Sequence, residues 1–171
     1  MKVSLIILAI ISCCLVSFKP KKGMVVTGVA MIHSPYCGGA QPTAEMLKGN
    51  FQAYANTKFY VKSKINNSLK KGTVSSFITD SEGKFSFKIA TPGNYYLYES
   101  GKMLSFAAFV KKHNKPSQFL SYVGDEKAKK AYSKPDAEIE IIVNKELLVI
   151  VRANCFSGVN PCLIYTGPPP P

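Results

Sequence analysis

Alternation of apolar and polar residues in the middle of the chain predicts β-strands. In the segment KFSFKI the apolar side chains Phe85, Phe87 and Ile89 alternate with polar ones, a period of two that is typical of a strand with one buried and one solvated face. Turn residues flank this strand, with D-S-E-G at Asp80–Gly83 and T-P-G-N at Thr91–Asn94. We therefore predict three strands within Thr73–Ser100 that are separated by these two turns, with a hairpin around Asp80–Gly83, and an antiparallel β fold for the chain.

Further strands follow from the same kind of pattern. They are predicted at Met24–His33, Lys58–Ile65, Leu104–Val110 and Gln118–Val123, with a last hairpin of Ala137–Val143 and Leu147–Ala153 that turns at Asn144–Glu146. The segment Ser34–Asn56 interrupts the β pattern. Within it, Pro42–Lys48 favours one or two helical turns, with Thr43 as N-cap and Gly49 as the stop, and Asp125–Ser133 favours a helix capped by its first residue.

The first residues predict export and a lipid anchor. The apolar run VSLIILAII that follows Met1 and Lys2 is well short of the roughly 20 residues that a bilayer-spanning helix needs, and it is typical of a secretory signal peptide. Ile10-Ile11-Ser12-Cys13 resembles the bacterial lipobox, in which the cysteine is lipidated and becomes the new N-terminus. We predict a signal peptide over 1–12 and a lipidated Cys13. Ordinary cleavage near Ser17 and an uncleaved anchor are the alternatives.

Length and charge limit what the rest of the chain does. The 171 residues, 46% of them hydrophobic, suffice for one domain with a core, which we place at 24–166 after a tether at 13–23 and before a Pro-rich tail at 167–171. The net charge is +12, yet Arg152 is the sole arginine among 22 basic residues. Base readout and phosphate clamps favour arginine, so nucleic acid is not an expected partner. The lysines instead indicate solvated strand faces, or attraction to anionic lipid or an acidic polysaccharide.

The cysteines predict a disulfide within the domain. If Cys13 carries lipid and Cys14 stays on the tether, then Cys37, Cys155 and Cys162 remain, and one of them must be unpaired. A bond from Cys37 to either of the other two would close a long loop, which stabilises more than the short ring between Cys155 and Cys162. We favour the long link, with the local ring as the alternative.

No motif indicates catalysis. The chain lacks G-x-S-x-G, H-E-x-x-H and a Walker loop, and its two histidines are His33 and His113. His33 with Cys37, Cys155 and Cys162 would suit zinc or copper, but disulfides are the usual use of cysteines in an oxidising compartment. Six tyrosines that would line a sugar-binding face are Tyr36, Tyr54, Tyr60, Tyr95, Tyr96 and Tyr98. We expect neither catalysis nor a cofactor, and we retain sugar binding and metal binding as alternatives.

Two motifs carry a resemblance to a known family. The stretch T-D-S-E-G-K-F-S-F at Thr79–Phe87, followed by P-G-N-Y at Pro92–Tyr95 and by Leu97, resembles the carboxypeptidase regulatory-domain family, a transthyretin-like sandwich of seven strands. The resemblance implies inward Phe85 and Phe87, and Tyr95 and Leu97 on the next strand. The family is a structural or binding module without catalytic residues.

A second resemblance concerns the cysteine segments. Y-C-G-G-A at Tyr36–Ala40 and C-F-S-G-V-N-P-C at Cys155–Cys162 are similar to elements of small Gram-negative envelope proteins that carry this domain. Where the family has a short turn, this chain inserts Ser34–Asn56, which is the expected place for a specific function. The sequence thus predicts an all-β, Ig-like antiparallel sandwich of about seven strands, exported to the periplasmic side of the envelope and membrane-anchored by lipid. Its expected partners are the bilayer and an envelope protein or polysaccharide.

Overall fold

A computed structural model describes residues 23–64 and 72–168, and within them the chain forms ten strands and two α-helices. The strands are β1 (Met24–Ser34), β2 (Asn50–Ala53), β3 (Lys58–Ser63), β4 (Thr73–Ile78), β5 (Lys84–Ile89), β6 (Gly93–Glu99), β7 (Leu120–Tyr122), β8 (Ala137–Ile141), β9 (Leu147–Arg152) and β10 (Leu163–Tyr165), and the helices are α1 (Phe106–His113) and α2 (Asp125–Ser133). Short 3-10 turns occupy Met46–Lys48 and Ser100–Met103. The predicted signal peptide and the lipidation at Cys13 lie outside the described residues.

Two four-stranded sheets and one small sheet account for the strands. In the first sheet β1 is central. β9 pairs with one edge of β1 in parallel. On the other edge, β5 pairs with the first half of β1 and β2 pairs with its last residues, both antiparallel. The second sheet has the order β4-β3-β6-β8 and is antiparallel throughout. β7 and β10 form a separate antiparallel pair. The prediction of a mostly β fold is confirmed, whereas the antiparallel expectation is wrong for β1 and β9.

One hydrophobic core draws on both larger sheets. Its buried residues are Val26, Ala30, Tyr54, Phe59, Val61, Phe77, Phe85, Phe87, Ile89, Tyr95, Leu97, Ile139, Ile141, Val149 and Val151. The Phe77 ring of the second sheet lies 4.1 Å from Phe85 and 5.1 Å from Phe87 of the first. Along β5 buried and exposed residues alternate strictly, which confirms the predicted inward orientation of Phe85, Phe87 and Ile89.

Both predicted hairpins are wrong, although the turns themselves are present. The strands on either side of Asp80–Gly83 belong to different sheets, since β4 pairs with β3 and β5 with β1. The strands around Asn144–Glu146 diverge in the same way, because β8 pairs with β6 and β9 with β1. Asp80 Oδ1 accepts hydrogen bonds from the N–H groups of Glu82 and Lys84, both at 2.8 Å. Such turn chemistry reverses the chain locally and does not decide whether the flanking strands stay paired.

The strand predicted at Leu104–Val110 is also wrong, because this segment contains helix α1. The Ser105 hydroxyl accepts a hydrogen bond from the Ala108 N–H at 3.3 Å and caps the helix. Phe106, Phe109 and Val110 follow the i, i+3, i+4 spacing of a helix and share one apolar face. Leu104, Phe106, Ala108 and Val110 alternate with period two in the same run. Because nearly every residue from Leu104 to Val110 is apolar, the segment is compatible with both patterns.

The inserted segment contains a strand that the sequence pattern did not predict. β2 pairs with the end of β1, and Phe51 lies opposite His33. The predicted helical turn is present as a 3-10 turn, in which the Met46 N–H donates to Thr43 Oγ1 at 3.3 Å. Gly49 ends the turn with a φ of 68°, a conformation that favours glycine. The insertion is thus fastened to the first sheet.

A second, smaller apolar cluster lies between the two helices and the β7–β10 pair. Phe109, Ala128 and Cys162 are buried in it, and the Tyr132 hydroxyl donates to the Leu104 carbonyl oxygen at 2.6 Å. Asp125 does not cap α2 with its side chain, contrary to the prediction. Its carboxylate instead accepts a hydrogen bond from the Tyr122 hydroxyl at 2.7 Å.

Candidate binding groove beside the disulfide

A long-range disulfide joins Cys37 to Cys155, 118 residues apart, with Cα atoms separated by 5.5 Å. The parallel pairing of β1 and β9 explains why these residues meet. His33 is in register with Arg152 at the last pair, and the Ala153 N–H continues the ladder by donating to the His33 carbonyl oxygen at 2.9 Å. Both strands therefore end at the same end of the sheet, a few residues before Cys37 and Cys155.

Cys162 is the remaining cysteine of the described domain. It is a free, fully buried thiol in the helical cluster, and burial raises the pKa of this thiol. The bond formed is thus the long link and not the local ring between Cys155 and Cys162. A high pKa keeps a thiol protonated and unreactive, so Cys162 acts here as a core residue.

An apolar groove of about 430 Å³ opens directly beside the disulfide. Its lining residues are Val123, Asn154, Cys155, Phe156, Ser157, Pro161, Leu163, Ile164 and Tyr165. Among the described residues, the polar side-chain groups in this wall are those of Asn154 and Ser157 and the Tyr165 hydroxyl, which donates to the Pro168 carbonyl oxygen at 3.0 Å. The Tyr165 phenol is the one ionisable group among these lining residues. We call this space the disulfide groove.

Aromatic rings form the rim of the disulfide groove. The Phe156 and Tyr165 rings are 4.2 Å apart, and Phe119 lies 6.3 Å from Tyr165 on its other side. Phe119 is 42% exposed and Phe156 is 48% exposed. Rings of this size usually bury most of their surface. The rim therefore presents exposed aromatic rings to solvent.

The backbone of Phe156 is strained. Its φ of 64° lies in the left-handed region, which costs a residue with a bulky side chain about 1 to 2 kcal/mol. The turn is held by hydrogen bonds between Asn154 and Gly158, whose N–H groups donate to each other's carbonyl oxygens at 2.8 and 3.1 Å. Strain of this kind concentrates at functional positions. Here it directs an aromatic ring outward.

The inserted segment contributes a second apolar recess on the other side of the disulfide. This recess of about 320 Å³ is lined by Ser34, Pro35, Tyr36, Cys37, Met46, Gly49 and Asn50. The side chains of Met46 and Leu47 beside it are 47% and 65% exposed. Met46 and Leu47 thus give this side of the disulfide an exposed aliphatic surface, and Phe51 on β2 of the same insertion is 49% exposed.

The structure does not assemble the metal site that the sequence kept as an alternative. The Cys37 and Cys155 sulfurs are bonded to each other. His33 Nε2 lies 2.9 Å from the Lys48 carbonyl oxygen, and its ring is 4.7 Å from Phe51. Nowhere in residues 23–64 and 72–168 do three histidine, cysteine or acidic side chains come together as metal ligands.

Most of the six tyrosines considered for sugar stacking have no free ring face. Tyr54, Tyr95 and Tyr98 are buried, and burial raises the pKa of Tyr54 and of Tyr98. The half-buried rings of Tyr60 and Tyr96 each lie under a lysine ammonium, at 5.1 and 5.4 Å from the ring centre. The remaining ring, Tyr36, is half-buried, and its hydroxyl donates to the Ala40 carbonyl oxygen at 3.2 Å.

A charged cluster joins the helical part to the second sheet. Lys102, whose side chain is 7% exposed, lies 2.7 Å from Asp136 and also donates to the Lys134 carbonyl oxygen at 2.7 Å. The second oxygen of Asp136 accepts the Glu99 N–H at 2.7 Å. The Glu99 carboxylate accepts from Lys112 at 3.2 Å. Each of these charged groups has its hydrogen-bond or ion-pair partners. We therefore interpret the cluster as structural, since it leaves no acid or base unpaired.

His113 packs against this charged cluster, and its environment lowers its pKa. Its ring lies 4.7 Å from Phe109, and its Nε2 atom is buried without a hydrogen-bond partner among the described residues. Burial lowers the pKa of His113, with the nearby Lys112 acting in the same direction and Glu99 opposing it. A lowered pKa favours the neutral imidazole at neutral pH. His113 is half-buried by the helix that carries it.

No helix in the described part of the chain is long and apolar enough to cross a bilayer. Comparisons of the chain with models of known families, with curated proteins and with solved structures find no match.

Proposed function

We propose that this chain is a non-catalytic binding module of the bacterial cell envelope, tethered to the membrane by lipid on Cys13, and that its disulfide groove holds an apolar segment of another envelope protein. The observation that carries the proposal is Phe156. A solvent-exposed phenylalanine in a strained conformation has no role in the core. Its ring instead completes the rim of an apolar groove, which is where a binding protein places its aromatic anchors.

The chemistry of the groove favours a peptide over the alternatives. Sugar recognition relies on hydrogen bonds as well as on ring stacking. Among the described lining residues, Asn154 and Ser157 offer polar side chains, while the Tyr165 hydroxyl already donates to the Pro168 carbonyl oxygen. An enzyme needs a titratable group in its pocket, whereas the charged cluster of Lys102 and Asp136 is internally satisfied. Apolar and aromatic side chains of a protein segment fit a wall of this composition.

The scaffold and the location form part of the same proposal. Two four-stranded sheets that share one core support a transthyretin-like β-sandwich, a packing in which the inner faces of two sheets interdigitate. The long-range disulfide supports an oxidising compartment. The I-I-S-C junction and the basic segment after it support an exported lipoprotein on the periplasmic side.

Binding of Nile red tests the groove, because this dye is neutral and is not attracted by the lysines. Phe156→Gly removes the ring and suits the left-handed backbone. We expect dye affinity to fall at least about fivefold, since loss of an aromatic contact costs roughly 1 kcal/mol. The thermal midpoint should stay the same or rise, because the strain is removed.

Phe51→Ala is the matched control for the dye experiment. Phe51 is 49% exposed, as Phe156 is 48%, but it lies on β2 outside the groove. Its variant should bind Nile red like the wild type. Equal dye affinity of the wild type and Phe156→Gly, or equal losses in both variants, would contradict the proposed groove.

Metabolic labelling with a fatty-acid probe tests the anchor. Wild-type chain expressed in a Gram-negative host should be labelled and should sediment with membranes, whereas Cys13→Ser should be unlabelled and remain soluble after export. Cys14→Ser is the control, and we expect it to keep both label and membrane fraction. If the wild type and Cys13→Ser are both unlabelled and soluble, the lipoprotein proposal is wrong.

A further inference from the structure

The outer edge of β9 has no strand partner among the described residues. β9 pairs with β1 through one edge only, from Leu147 opposite Gly28 to Arg152 opposite His33. Its other edge exposes a row of backbone N–H and C=O groups, which is a template for a further strand. Leu148 is 63% exposed and Ile150 is 41% exposed on the outer face of this strand.

The sequence of this edge is complementary to itself. In the segment E-L-L-V-I-V-R, antiparallel pairing of two copies about Val149 places Glu146 of each copy opposite Arg152 of the other. The same register sets Leu148 opposite Ile150 twice on the outer face. Residues directly opposite each other in an antiparallel pair lie on one face with Cβ atoms about 5 Å apart. Opposite charges and apolar side chains therefore meet in matched pairs.

We propose that β9 binds β9 of a second copy of this chain in the antiparallel register centred on Val149. The two first sheets then form one continuous sheet across a twofold axis, and the same surface of each copy forms the interface. Main-chain hydrogen bonds supply affinity, and the two Glu146–Arg152 pairs fix the register. This dimer does not depend on the lipid anchor or on the disulfide groove.

The other strand edges oppose self-pairing. β8 carries Glu138 and Glu140 on its exposed face, and pairing about Ile139 would set glutamate against glutamate. β5 carries Lys84 and Lys88, which pairing about Ser86 would bring together. Like charges directly opposite are destabilising.

The edges formed by β4 and β2 are unfavourable for pairing for other reasons. The β3–β4 pair has a register shift between Val61 and Lys62, and β2 is only four residues long. Bulges and short strands both limit edge pairing. Among the edges of the two larger described sheets, β9 is thus the one whose charges favour its own copy.

Open space lies beside the last residues of β9. A cavity of about 420 Å³ adjoins Ile150–Arg152 and is also lined by Lys134–Asp136, Val159 and Pro161. A strand paired with β9 would shield the exposed side chains of Leu148 and Ile150 from water, which favours association.

Charge reversal with rescue tests the dimer. Sedimentation equilibrium of the full chain in a density-matched non-ionic detergent should show a monomer–dimer equilibrium for the wild type. Arg152→Glu should raise the dimer dissociation constant at least about tenfold, because it sets Glu146 against a glutamate at both symmetric pairs. The double variant Glu146→Arg with Arg152→Glu should restore wild-type affinity, since the opposite charges are exchanged.

Lys88→Glu is the control for a change in net charge away from the edge. It should dimerise like the wild type or slightly better. Glu146 and Arg152 are both exposed, so at concentrations where every variant is monomeric the thermal midpoints should be unchanged. A wild type that stays monomeric up to its solubility limit, an unaffected Arg152→Glu, or a double variant as weak as the single one would each overturn the proposal.

Discussion

Replacing both Cys37 and Cys155 with serine is expected to lower the free energy of unfolding by about 5 kcal/mol. The disulfide closes a loop of 118 residues, so it removes many conformations from the unfolded chain, and the loss grows with the logarithm of loop length. A domain of this size is typically stable by 5 to 15 kcal/mol. The variant should therefore unfold at a much lower urea concentration, which circular dichroism would follow.

The double substitution is preferable to a single one, because a lone Cys37 or Cys155 is free to pair with Cys162. Cys162→Ala is the matched control, since it removes a cysteine without removing the bond. It should cost about 1 kcal/mol as a small buried truncation. Midpoints for the double variant that match the oxidised wild type would mean that the long link does not form. Non-reducing peptide mapping would then reveal whether Cys155 is bonded to Cys162 instead.

Local patterns predicted the strands well, because burial on one side of a strand leaves a period of two in the sequence. Phe85, Phe87 and Ile89 are the clearest case, and the structure buries all three. The turn at Asp80–Gly83 was also predictable from the sequence. The Asp80 side chain accepts hydrogen bonds from the N–H groups of Glu82 and Lys84, which lie only two and four residues further along the chain. What these residues do not encode is the partner of each strand. That choice depends on how the two sheets pack, and it placed β4 and β5 in different sheets.

The segment around Phe106 shows a second limit. Nearly every residue from Leu104 to Val110 is apolar, so the run contains both an alternating set and a set at helical spacing. The cap at Ser105 was the deciding signal, and the buried faces of Phe109 and Ala128 supplied the packing that a short helix needs.

For the candidate groove, the sequence predicted the long-range disulfide and did not predict the strand pairing that places it. Counting cysteines indicated a link from Cys37 to the C-terminal segment, but the groove depends on the parallel pairing of β1 with β9, two strands more than a hundred residues apart. The periodicity of a strand reports which of its faces is buried, and it does not identify the distant strand with which it pairs. The positive φ of Phe156 was likewise unpredictable, because phenylalanine does not favour that conformation and only the surrounding turn imposes it.

Phe87→Ala is expected to lower the free energy of unfolding by about 3 to 5 kcal/mol. The ring is 5% exposed and stacks 5.1 Å from Phe77 across the interface between the two sheets. Truncation therefore loses apolar burial and leaves a cavity that neighbouring strands, fixed by their hydrogen bonds, fill only in part. The urea midpoint should fall accordingly, with the slope of the transition unchanged.

Lys88→Ala is the matched control, one residue along the same strand and pointing to solvent. It should cost less than about 0.5 kcal/mol, because an exposed lysine leaves neither a cavity nor an unpaired buried group. Both variants place alanine at adjacent positions of β5, so both carry the low β-propensity of alanine. The difference between their losses in unfolding free energy therefore reports mainly the burial of Phe87. Similar small shifts in the two variants would mean that Phe87 is not in the core, and equally large shifts would mean that β5 is buried on both faces.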